Sequence, residues 1–542
     1  MSSLETLIAK ARSWQSQDPD AETTAELEAL ILAGDEQGLS SRFGARLGFG
    51  TAGLRGELGA GPNRMNRVLV AQAAVGIARY LKANFDDPSC VIGFDARKNS
   101  DVFAKDSAEI LVGLGVRAYL YDSLVATPMV AFAVRELGCS AGIMVTASHN
   151  PPADNGYKVF DFTGSQIIPP MDALIASEID KFAENESVSD LVRSGDYSSV
   201  PASVSVDYLQ GVSGLMNRHS DRKSLKIVYS AMHGVGAEFI EKIFDLAGMD
   251  PLIPVASQHK PDGTFPTVAF PNPEEPGAMD KSLETAKAND ADLVLANDPD
   301  ADRLCVAYKD STGNYIQLSG DDLGLLLAEE LAGRAKRAGV SGTLACSIVS
   351  SSAIEKVAEH YGLDFAQTLT GFKWVGRVPN LIFGYEEALG YCVDSKRVKD
   401  KDGLSAALVV ADIATTLAAS GYTIGDQLEK LGARDGYFAT DQISIRVKDL
   451  SIIENLMKKL RTNPIQELDG QSVVFTDYLN GWGNLSGTDA IQLDLADGRR
   501  VIVRPSGTEP KLKCYLLAVS DQGPKSQSML ASLKAAMQKV LD

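Results

Sequence analysis

The 542-residue chain predicts an α/β protein of several domains that ends in a smaller α+β domain. Strand-length apolar segments alternate with helical segments, a pattern typical of a mostly parallel sheet with helices on both faces. The alternation starts again near residue 225 and near residue 321, and an antiparallel pattern replaces it after residue 435. At typical domain sizes, this length corresponds to three or four domains.

The first expected domain covers residues 1–205. It opens with helical periodicity over about residues 4–35, which predicts a helical extension packed on the first sheet. The polar segment 184–201 has no periodicity and predicts the first boundary. Between them we predict helices at 68–83, 102–113 and 128–137, and strands at 90–94, 117–120 and 141–145.

Three more domains are expected at residues 206–318, 319–436 and 437–542. Asp497-Gly498 suits the tight turn of a β-hairpin in the last of them. The predicted strands are 225–229, 291–296, 343–349, 381–383, 439–447, 490–495 and 500–503, and the predicted helices are 322–335 and 525–541.

The chain is acidic, with 52 Lys and Arg against 71 Asp and Glu and a formal net charge of -19. Such a surface repels nucleic acid and anionic membranes, so we expect neither as a partner. A small phosphorylated ligand is not excluded, because a cleft can be locally basic.

The cysteines predict neither a zinc cluster nor a disulfide framework, since no two of them form a CxxC pair. Their usage fits a reducing compartment. The first 14 residues lack the apolar core of a signal peptide, and the apolar stretch 68–78 is too short to span a bilayer. We therefore expect a cytoplasmic protein. The six cysteines are Cys90, Cys139, Cys305, Cys346, Cys392 and Cys514.

The strongest candidate for a catalytic group is Ser148. The predicted strand 141–145 leads directly to it, and Pro151 and Pro152 stiffen the loop that follows. Open α/β sheets place their chemistry at strand ends. A turn or cap residue is the plain alternative, and a hydrolase serine is disfavoured because no Gly-x-Ser-x-Gly elbow is present. A serine that carries a phosphoryl group would need a cation, phosphate-binding groups and a proton shuttle.

A second candidate follows the apolar strand 291–296. Asp298, Asp300 and Asp302 alternate along the loop, so in an extended chain their carboxylates point one way. Three converging oxygen donors suit Mg²⁺. A solvated acidic loop is the alternative, and a calcium EF-hand fails because its glycine and glutamate positions are not matched.

Three further loops gain meaning only together. Residues 49–56 are glycine-dense and contain Arg55 near their end, and residues 384–390 hold adjacent glutamates that could accept hydrogen bonds from sugar hydroxyls. Residues 504–511 combine hydroxyls, a glycine and flanking cations, which is typical of a phosphate nest. Alone, each could be a turn or a solvated surface. A phosphoserine at Ser148, Mg²⁺ on the three aspartates, the glutamate loop 384–390 and the phosphate nest 504–511 together favour an enzyme that moves phosphate between two positions of one sugar. Walker A, dinucleotide and kinase motifs are missing from the sequence.

At these residues the sequence resembles the α-D-phosphohexomutase superfamily, which includes phosphoglucomutases, phosphomannomutases, phosphoglucosamine mutases and phosphopentomutases. The length and the glycine-rich loop look like the branch with bacterial phosphoglucomutases and phosphopentomutases. The motifs match in order over nearly the whole chain: Gly-Thr-Ala-Gly-Leu-Arg, Thr-Ala-Ser-His-Asn-Pro, Asp-Pro-Asp-Ala-Asp-Arg, Gly-Tyr-Glu-Glu-Ala-Leu-Gly and Arg-Pro-Ser-Gly-Thr-Glu-Pro.

The resemblance implies four domains around a central cleft, three of them similar α/β units and the fourth mobile. It implies that phosphorylated Ser148 exchanges its phosphoryl group with the sugar through a bisphosphate, with glucose 1,6-bisphosphate as activator. Mg²⁺ would be held by a Ser148 phosphate oxygen and the three aspartates. Lys158 would assist proton transfer, and the other groups expected near the transferring phosphate are Arg55, Arg303 and His149, the last shaping the loop.

The same resemblance implies the substrate-binding residues. Glu386 would hold sugar hydroxyls, but Ala388 stands where many hexomutases have a serine, and this departure leaves the preferred sugar open. The full expected set is Thr370, Gly371, Lys373, Glu386, Ala388 and Lys401 for the sugar, and Arg504, Ser506, Gly507 and Thr508 for the phosphate that is not transferred.

The leading functional hypothesis is a phosphoglucomutase that interconverts glucose 1-phosphate and glucose 6-phosphate. A phosphomannomutase, or an enzyme with both activities, comes next, and a phosphopentomutase third. A non-catalytic phosphosugar-binding protein and a phosphatase are the hypotheses from other classes. We expect a small-molecule phosphosugar as the partner and a monomer or homodimer as the assembly.

Overall fold

A computed structural model describes residues 3–51, 53–217, 221–447, 449–483, 485–507 and 511–541. The chain divides into two compact units. The first comprises Met1–His219, Ser224–Lys309 and Asp394–Asp412, and the second comprises Ser220–Lys223, Asp310–Val393 and Ile413–Asp542.

The predicted amino-terminal extension is helical and consists of three helices. Asp20 and Asp35 each cap a new helix by accepting backbone N–H bonds, and Gly34 between them has φ +61°. Apolar residues of the extension share a buried cluster with Val75 and Phe182 of the first domain. The helices are α1 (Ser3–Gln15), α2 (Ala21–Ala33) and α3 (Glu36–Phe43).

The first sheet has the strand order β1-β5-β4-β2-β3-β6. Its centre is parallel, as predicted, whereas β1 and β5 run antiparallel. The sequence did not predict β5 because this strand is almost wholly buried and shows no polar alternation. The elements are β1 (Leu54–Glu57), α4 (Arg67–Asn84), β2 (Ser89–Phe94), α5 (Ser100–Gly113), β3 (Arg117–Leu120), α6 (Thr127–Glu136), β4 (Ala141–Val145), β5 (Asp154–Asp161), α7 (Met171–Asn185) and β6 (Ser198–Ser199).

The polar segment 184–201 contains strand β6, which pairs with β3 of the first sheet. The expected boundary between residues 205 and 206 lies inside helix α8 (Ala202–Ser213). The domain limits stay predictions.

The second sheet of the first unit contains the order β10-β9-β7-β8. Strands β7, β8 and β9 are parallel, and β10 is antiparallel to β9. Strand β9 confirms the apolar strand that the sequence predicted before the aspartates. The elements are α8 (Ala202–Ser213), β7 (Ile227–Ser230), α9 (Gly236–Ala247), β8 (Ile253–Pro254), α10 (Asp280–Asn289), β9 (Leu293–Ala296) and β10 (Cys305–Lys309).

The second unit opens with a sheet of order β13-β12-β14-β15, in which only β15 is antiparallel to its neighbour. The predicted long helix and both predicted strands are present. The elements are β11 (Tyr315–Gln317), α11 (Gly320–Arg337), β12 (Thr343–Ser347), α12 (Ala353–Tyr361), β13 (Asp364–Thr368), α13 (Phe372–Val375), β14 (Leu381–Glu386), β15 (Gly390–Cys392), α14 (Gly403–Ala419), whose residues fall in both units, and α15 (Ile424–Asp435).

The carboxyl-terminal region is an antiparallel sheet of order β16-β21-β20-β19-β18-β17. The predicted hairpin is confirmed as β19 and β20, with Gly498 at φ +86° in its turn. Helices α16 and α17 bury Met457, Leu533 and Met537 in the core of this region. The elements are β16 (Tyr437–Arg446), α16 (Leu450–Thr462), β17 (Glu467–Leu468), β18 (Gln471–Asp477), β19 (Ile491–Leu495), β20 (Arg500–Pro505), β21 (Lys511–Ser520) and α17 (Gly523–Leu541).

Over the described ranges, no single helix has the length and apolar character needed to cross a membrane. The pair α14 and α15, bent by 90°, passes that test together by length and composition only.

Candidate active site

Ser148 lies at the carboxyl end of strand β4 and is 3% exposed. Its backbone has φ +52°, the left-handed conformation that is uncommon for a residue with a side chain. The Ser148 hydroxyl donates a hydrogen bond of 2.8 Å to Oδ2 of Asp298, and its oxygen lies 3.2 Å from Nδ1 of His149. The structure therefore brings the predicted nucleophile onto the first predicted metal ligand.

The aspartate loop leaves strand β9 and turns back on itself through Ala301, which has φ +57°. The Asn297 side-chain amide donates 2.6 Å to the Arg303 carbonyl oxygen, and the Arg303 N–H donates 3.0 Å to Oδ1 of Asp298. These two bonds connect the first residues of the loop with its last residue.

The three aspartates are buried, and one oxygen from each lies within 4.8 Å of the others. Among the described residues, Oδ1 of Asp300 and Oδ1 of Asp302 are buried and have no hydrogen-bond partner. Unpaired buried carboxylate oxygens are costly unless a cation meets them. The donor set thus fits Mg²⁺, which prefers carboxylate oxygens.

The electrostatics of the triad support the same assignment. Burial and the neighbouring carboxylates of Asp300 and Asp302 raise the pKa of Asp298 well above its usual value. Burial acts in the same direction on Asp302, but the ammonium groups of Lys158 and Lys401 outweigh it and lower the pKa of Asp302. Crowded carboxylates of this kind are stabilised by added positive charge.

Lys158 reaches the triad from strand β5. Its Nζ lies 2.6 Å from Oδ2 of Asp300 and 2.7 Å from Oδ2 of Asp302. Burial lowers the pKa of Lys158, but those two carboxylates raise it, with a net upward shift that keeps the side chain an ammonium. The close pairing of β1 with β5 requires Gly53, at φ +74°, because a Cβ there would lie 1.7 Å from the Tyr157 carbonyl oxygen.

The two predicted arginines belong to the same cluster. Arg55 donates 3.3 Å to the side-chain oxygen of Asn150, and Arg303 donates 3.3 Å to Glu274. Burial, followed by the charges of Arg303 and Arg55, lowers the pKa of His149 well below its ordinary value. This shift favours the neutral imidazole form of His149 at neutral pH.

Lys401 was predicted as a sugar-binding residue of the third domain, but the segment Asp394–Asp412 belongs to the first compact unit. Its Nζ lies 3.4 Å from Oδ2 of Asp302 and 3.3 Å from Oδ1 of Asp400. The structure therefore places Lys401 in the cluster around the aspartates.

The second unit holds the predicted sugar loop at the end of strand β14. Oε1 of Glu386 accepts a 2.7 Å hydrogen bond from the Gly371 N–H, so two predicted residues meet directly. Thr370, also predicted, has a buried hydroxyl oxygen without a partner among the described residues. Ala388 lies in the turn between β14 and β15, and Lys373 lies in helix α13 beside the Gly371 turn.

Glu387, the neighbour of Glu386, has a different role. It accepts 2.8 Å from the Ser350 hydroxyl and 3.3 Å from the Ser347 hydroxyl. These bonds hold the Glu387 carboxylate against the segment that carries Ser347 and Ser350.

The predicted phosphate loop follows strand β20. Arg504 is paired with Lys513 of β21, the Ser506 N–H donates 2.8 Å to the Lys511 carbonyl oxygen, and Gly507 is exposed. Thr508, also predicted, lies outside the described residues.

Sequence reasoning missed two residues that hold the aspartate loop. The Thr127 hydroxyl donates 2.5 Å to Oδ2 of Asp300, and its N–H donates 3.0 Å to the Asp300 carbonyl oxygen. Asn297 closes the loop from its first position. Asn297 was detectable as an amide beside the aspartates, whereas Thr127 carries no local signal because it contacts the loop from a distant helix.

A buried serine at a strand end, a carboxylate triad suited to Mg²⁺ and a lysine beside that triad are the parts that phosphoryl transfer requires. Fold and site together define an α/β enzyme of phosphoryl transfer.

The chain belongs to the phosphoglucomutase/phosphomannomutase family. It matches all four family models: α/β/α domain I at residues 46–186, domain II at 206–313, domain III at 319–432 and the C-terminal domain at 444–527. The superfamily resemblance and the four-domain architecture are confirmed. The chain is therefore an isomerase that acts as a phosphosugar mutase.

Similar proteins carry different substrate names. A "Probable phosphomannomutase" of Haemophilus influenzae is 46% identical, covering 88% of this chain and 98% of that protein. A phosphopentomutase of Mus musculus is 36% identical over 94% of this chain and 90% of its own length. A phosphoglucomutase of Staphylococcus aureus is 32% identical over 88% of this chain and 90% of its own length.

The fold also matches solved structures. A phosphoglucomutase/phosphomannomutase family protein of Burkholderia thailandensis superimposes with a TM-score of 0.69 at 22% identity, covering 91% of this chain and 96% of that one.

Proposed function

We propose that this enzyme interconverts α-D-glucose 1-phosphate and glucose 6-phosphate through a phosphoserine at Ser148 and a bound bisphosphate. The observation that carries the proposal is the 2.8 Å bond from the buried Ser148 hydroxyl to Asp298, inside a carboxylate triad. A phosphoryl group on Ser148 would be attached beside the cation site and excluded from bulk water.

In the proposed forward step, the free hydroxyl of the sugar attacks the phosphoryl group of phosphorylated Ser148. The bond from phosphorus to Oγ breaks as the bond to the sugar oxygen forms. The resulting bisphosphate reorients in the site, and its other phosphoryl group is transferred to Ser148. Glucose 1,6-bisphosphate would serve as activator because it can phosphorylate Ser148 in enzyme that lacks the phosphoryl group.

Lys158 is the proposed proton shuttle. Its ammonium, stabilised by Asp300 and Asp302, can give a proton to the departing serine oxygen and then accept one from the sugar hydroxyl. The number of protons is conserved over the step. Lys401, beside Asp302, adds a second cation to the cluster.

Asp298, Asp300 and Asp302 would hold Mg²⁺ together with a phosphate oxygen on Ser148. When bound, the ion neutralises the charge of the transferring group. Arg55 and Arg303 flank the serine loop and would bind the remaining phosphate oxygens. His149, neutral and buried, would keep the loop in shape.

Substrate recognition is proposed for the second unit. Glu386, already a hydrogen-bond acceptor, would grip vicinal sugar hydroxyls, and the unpartnered Thr370 hydroxyl oxygen lies in the segment beside Gly371. Lys373 would assist there. Arg504, Ser506, Gly507 and Thr508 would bind the phosphate that is not being transferred.

Ala388 favours a second candidate, the pentose 1-phosphates. A serine at this position would supply a hydroxyl to a hexose ring, and a pentose has fewer hydroxyl groups to satisfy. The mouse relative carries the name phosphopentomutase. Mannose 1-phosphate is the third candidate, because the relative from Haemophilus influenzae is called a probable phosphomannomutase.

A side-by-side rate comparison tests the choice of sugar. Purified enzyme with Mg²⁺ and a trace of the matching sugar bisphosphate would receive glucose, mannose, ribose or deoxyribose 1-phosphate. The proposal expects the highest kcat/KM with glucose 1-phosphate. Turnover confined to the pentose phosphates would refute glucose as the substrate and leave the mutase chemistry in place.

A further inference from the structure

Arg97 is a buried cation that the mechanism above does not use. It follows strand β2 and is 3% exposed. We propose that Arg97 is a positioning residue that holds Ser148 in its left-handed conformation, with the hydroxyl directed at Asp298. This inference rests on the proposed role of Ser148 as the phosphoryl carrier.

The Arg97 guanidinium group donates hydrogen bonds along the whole serine loop. Nη2 donates 2.6 Å to the Ser148 carbonyl oxygen and 2.6 Å to that of Asn150. Nη1 donates 2.8 Å to the carbonyl oxygen of Pro151 and 3.1 Å to that of Asp154. One planar fork therefore fixes four carbonyl groups, from the nucleophile to the start of strand β5.

Arg97 is itself fixed in place. Oδ1 of Asp95 accepts a 3.0 Å bond from the Arg97 N–H, and the Arg97 Nε lies 3.4 Å from Oδ2 of the same carboxylate. The ring of Phe265 lies 4.8 Å from the guanidinium carbon. The salt bridge to Asp95 and the ring of Phe265 restrict the rotation of the guanidinium group. The fixed guanidinium group therefore fixes the position of the serine loop.

The loop needs such a support. Left-handed backbone is unfavourable for serine and persists only where surrounding bonds enforce it. The Thr146 hydroxyl oxygen accepts 2.9 Å from the Ser148 N–H, and the Asn150 N–H donates 3.1 Å to the Ala147 carbonyl oxygen. Arg97 adds the bond to the Ser148 carbonyl, so both sides of the strained residue are held.

These contacts also separate Arg97 from the arginines proposed to bind phosphate. All four of its Nη hydrogens are directed at carbonyl oxygens, and its Nε faces Asp95. Its effect on catalysis therefore passes through the backbone of Ser148.

The test compares Arg97→Lys with the matched variant Arg67→Lys. Arg67 also forms a forked pair in the first unit, with Asp106, but the structure gives it no bond to the serine loop. A lysine at position 97 keeps the positive charge but cannot donate hydrogen bonds in the geometry of the guanidinium group. We expect kcat with glucose 1-phosphate to fall about 100-fold, the scale of a misplaced reacting group. KM should stay within about threefold, because the ligand-binding loops are unchanged.

Single-turnover phosphorylation gives the second measurement. Wild-type and variant enzymes would be mixed with glucose 1,6-bisphosphate, and phosphoserine followed by intact mass. Phosphorylation of Arg97→Lys should slow in step with kcat, while Arg67→Lys should match the wild type. Added guanidinium ion at low millimolar concentration should restore part of the rate to Arg97→Ala.

The outcomes are distinguishable. A wild-type enzyme that takes up no phosphate refutes the proposed function itself. Wild-type rates in Arg97→Lys, or equal losses in both arginine variants, refute the positioning role of Arg97. If Arg97→Lys does not fold, Asp95→Asn decides, because it removes the charge that fixes the guanidinium, and unchanged kcat in that soluble variant overturns the inference.

Discussion

The cluster around Ser148 in the first unit and the binding loops of the second unit are built differently. The first is buried, and its side chains contact one another directly: Ser148 bonds to Asp298, and Lys158 to two further aspartates. In the second, Glu386, Ala388 and Arg504 are partly exposed, and direct contacts between the predicted residues are few.

The difference teaches where chemistry and specificity reside. A phosphoryl-transfer centre must keep its charges in fixed places, so it is prebuilt and dry. A site proposed to accept one sugar in two orientations must present groups that can bind the ligand in either one. Mutations in the first cluster should therefore abolish turnover, and mutations in the second should shift substrate preference.

The largest expected effect is that of Ser148→Ala. Without the nucleophile, mutase turnover should fall by roughly 10⁴-fold or more, the scale seen when a covalent catalyst loses its nucleophile. Calorimetric binding of glucose 1-phosphate should be largely kept, because the proposed binding groups lie elsewhere. Turnover near the wild-type value would refute the phosphoserine assignment.

Asp298→Asn should have the next largest effect. It removes one charge from the triad and weakens the hold on Mg²⁺, so kcat should fall by about 10² to 10³-fold. Chelation of the wild-type enzyme with EDTA should abolish turnover, and added Mg²⁺ should restore it. The exposed Asp207, changed to asparagine, is the matched control and should show no loss. Full activity after chelation would exclude the proposed metal site.

A smaller effect is expected from Ala388→Ser in the second unit. The new hydroxyl should favour hexoses, with a rise of about 3 to 10-fold in the ratio of kcat/KM for glucose 1-phosphate to that for ribose 1-phosphate, as one hydrogen bond allows. Ala419→Ser, at an exposed position, should leave the ratio unchanged. A large loss of kcat with every sugar would break the division between chemistry and specificity.

The smallest expected effect concerns the pH dependence of stability. Each unit contains a buried aspartate whose pKa is raised. Burial raises the pKa of Asp402 in the first unit to about 6, and that of Asp321 in the second unit also to about 6. A raised carboxyl pKa contributes stability that is present below about pH 4 and is lost as pH rises through about 6.

Asp402→Asn should therefore remove about 1 to 2 kcal/mol of the loss in unfolding free energy between pH 5 and pH 7. The thermal midpoint of the variant should then fall less than that of the wild type over this range. The asparagine can still accept the N–H bonds at the start of α14 that Asp402 accepts. Midpoints measured at pH 5, 6 and 7 for wild type, Asp402→Asn and Asp321→Asn would test this. A pH dependence unchanged in both variants would contradict the burial argument.

The sequence predicted most strands and the chemistry that follows them, because apolar runs and the residues after them are local signals. Ser148 and the three aspartates lie where the predicted strands end. The left-handed backbone of Ser148 was not predictable from local sequence. The guanidinium group that donates to its carbonyl oxygen belongs to Arg97, which is distant in sequence.

Other features depend on residues that are distant in sequence, and local patterns do not predict them. Strand β5 carries Lys158 back to the aspartates, and its buried sequence has no alternating pattern. The segment Asp394–Asp412, which contains Lys401, belongs to the first unit although the chain on either side of it belongs to the second. The hydrogen bond of Glu387 with Ser350 joins residues far apart in sequence, so local sequence does not predict it.

Phosphate transfer to the enzyme itself tests the central claim most directly. Purified protein would be incubated with glucose 1,6-bisphosphate and Mg²⁺, and its intact mass and phosphorylated residue determined by mass spectrometry. The account predicts one phosphoryl group per chain, on Ser148, which glucose 1-phosphate then removes as turnover begins. Mutase turnover with no phosphate on Ser148, or with phosphate on another residue, would contradict it.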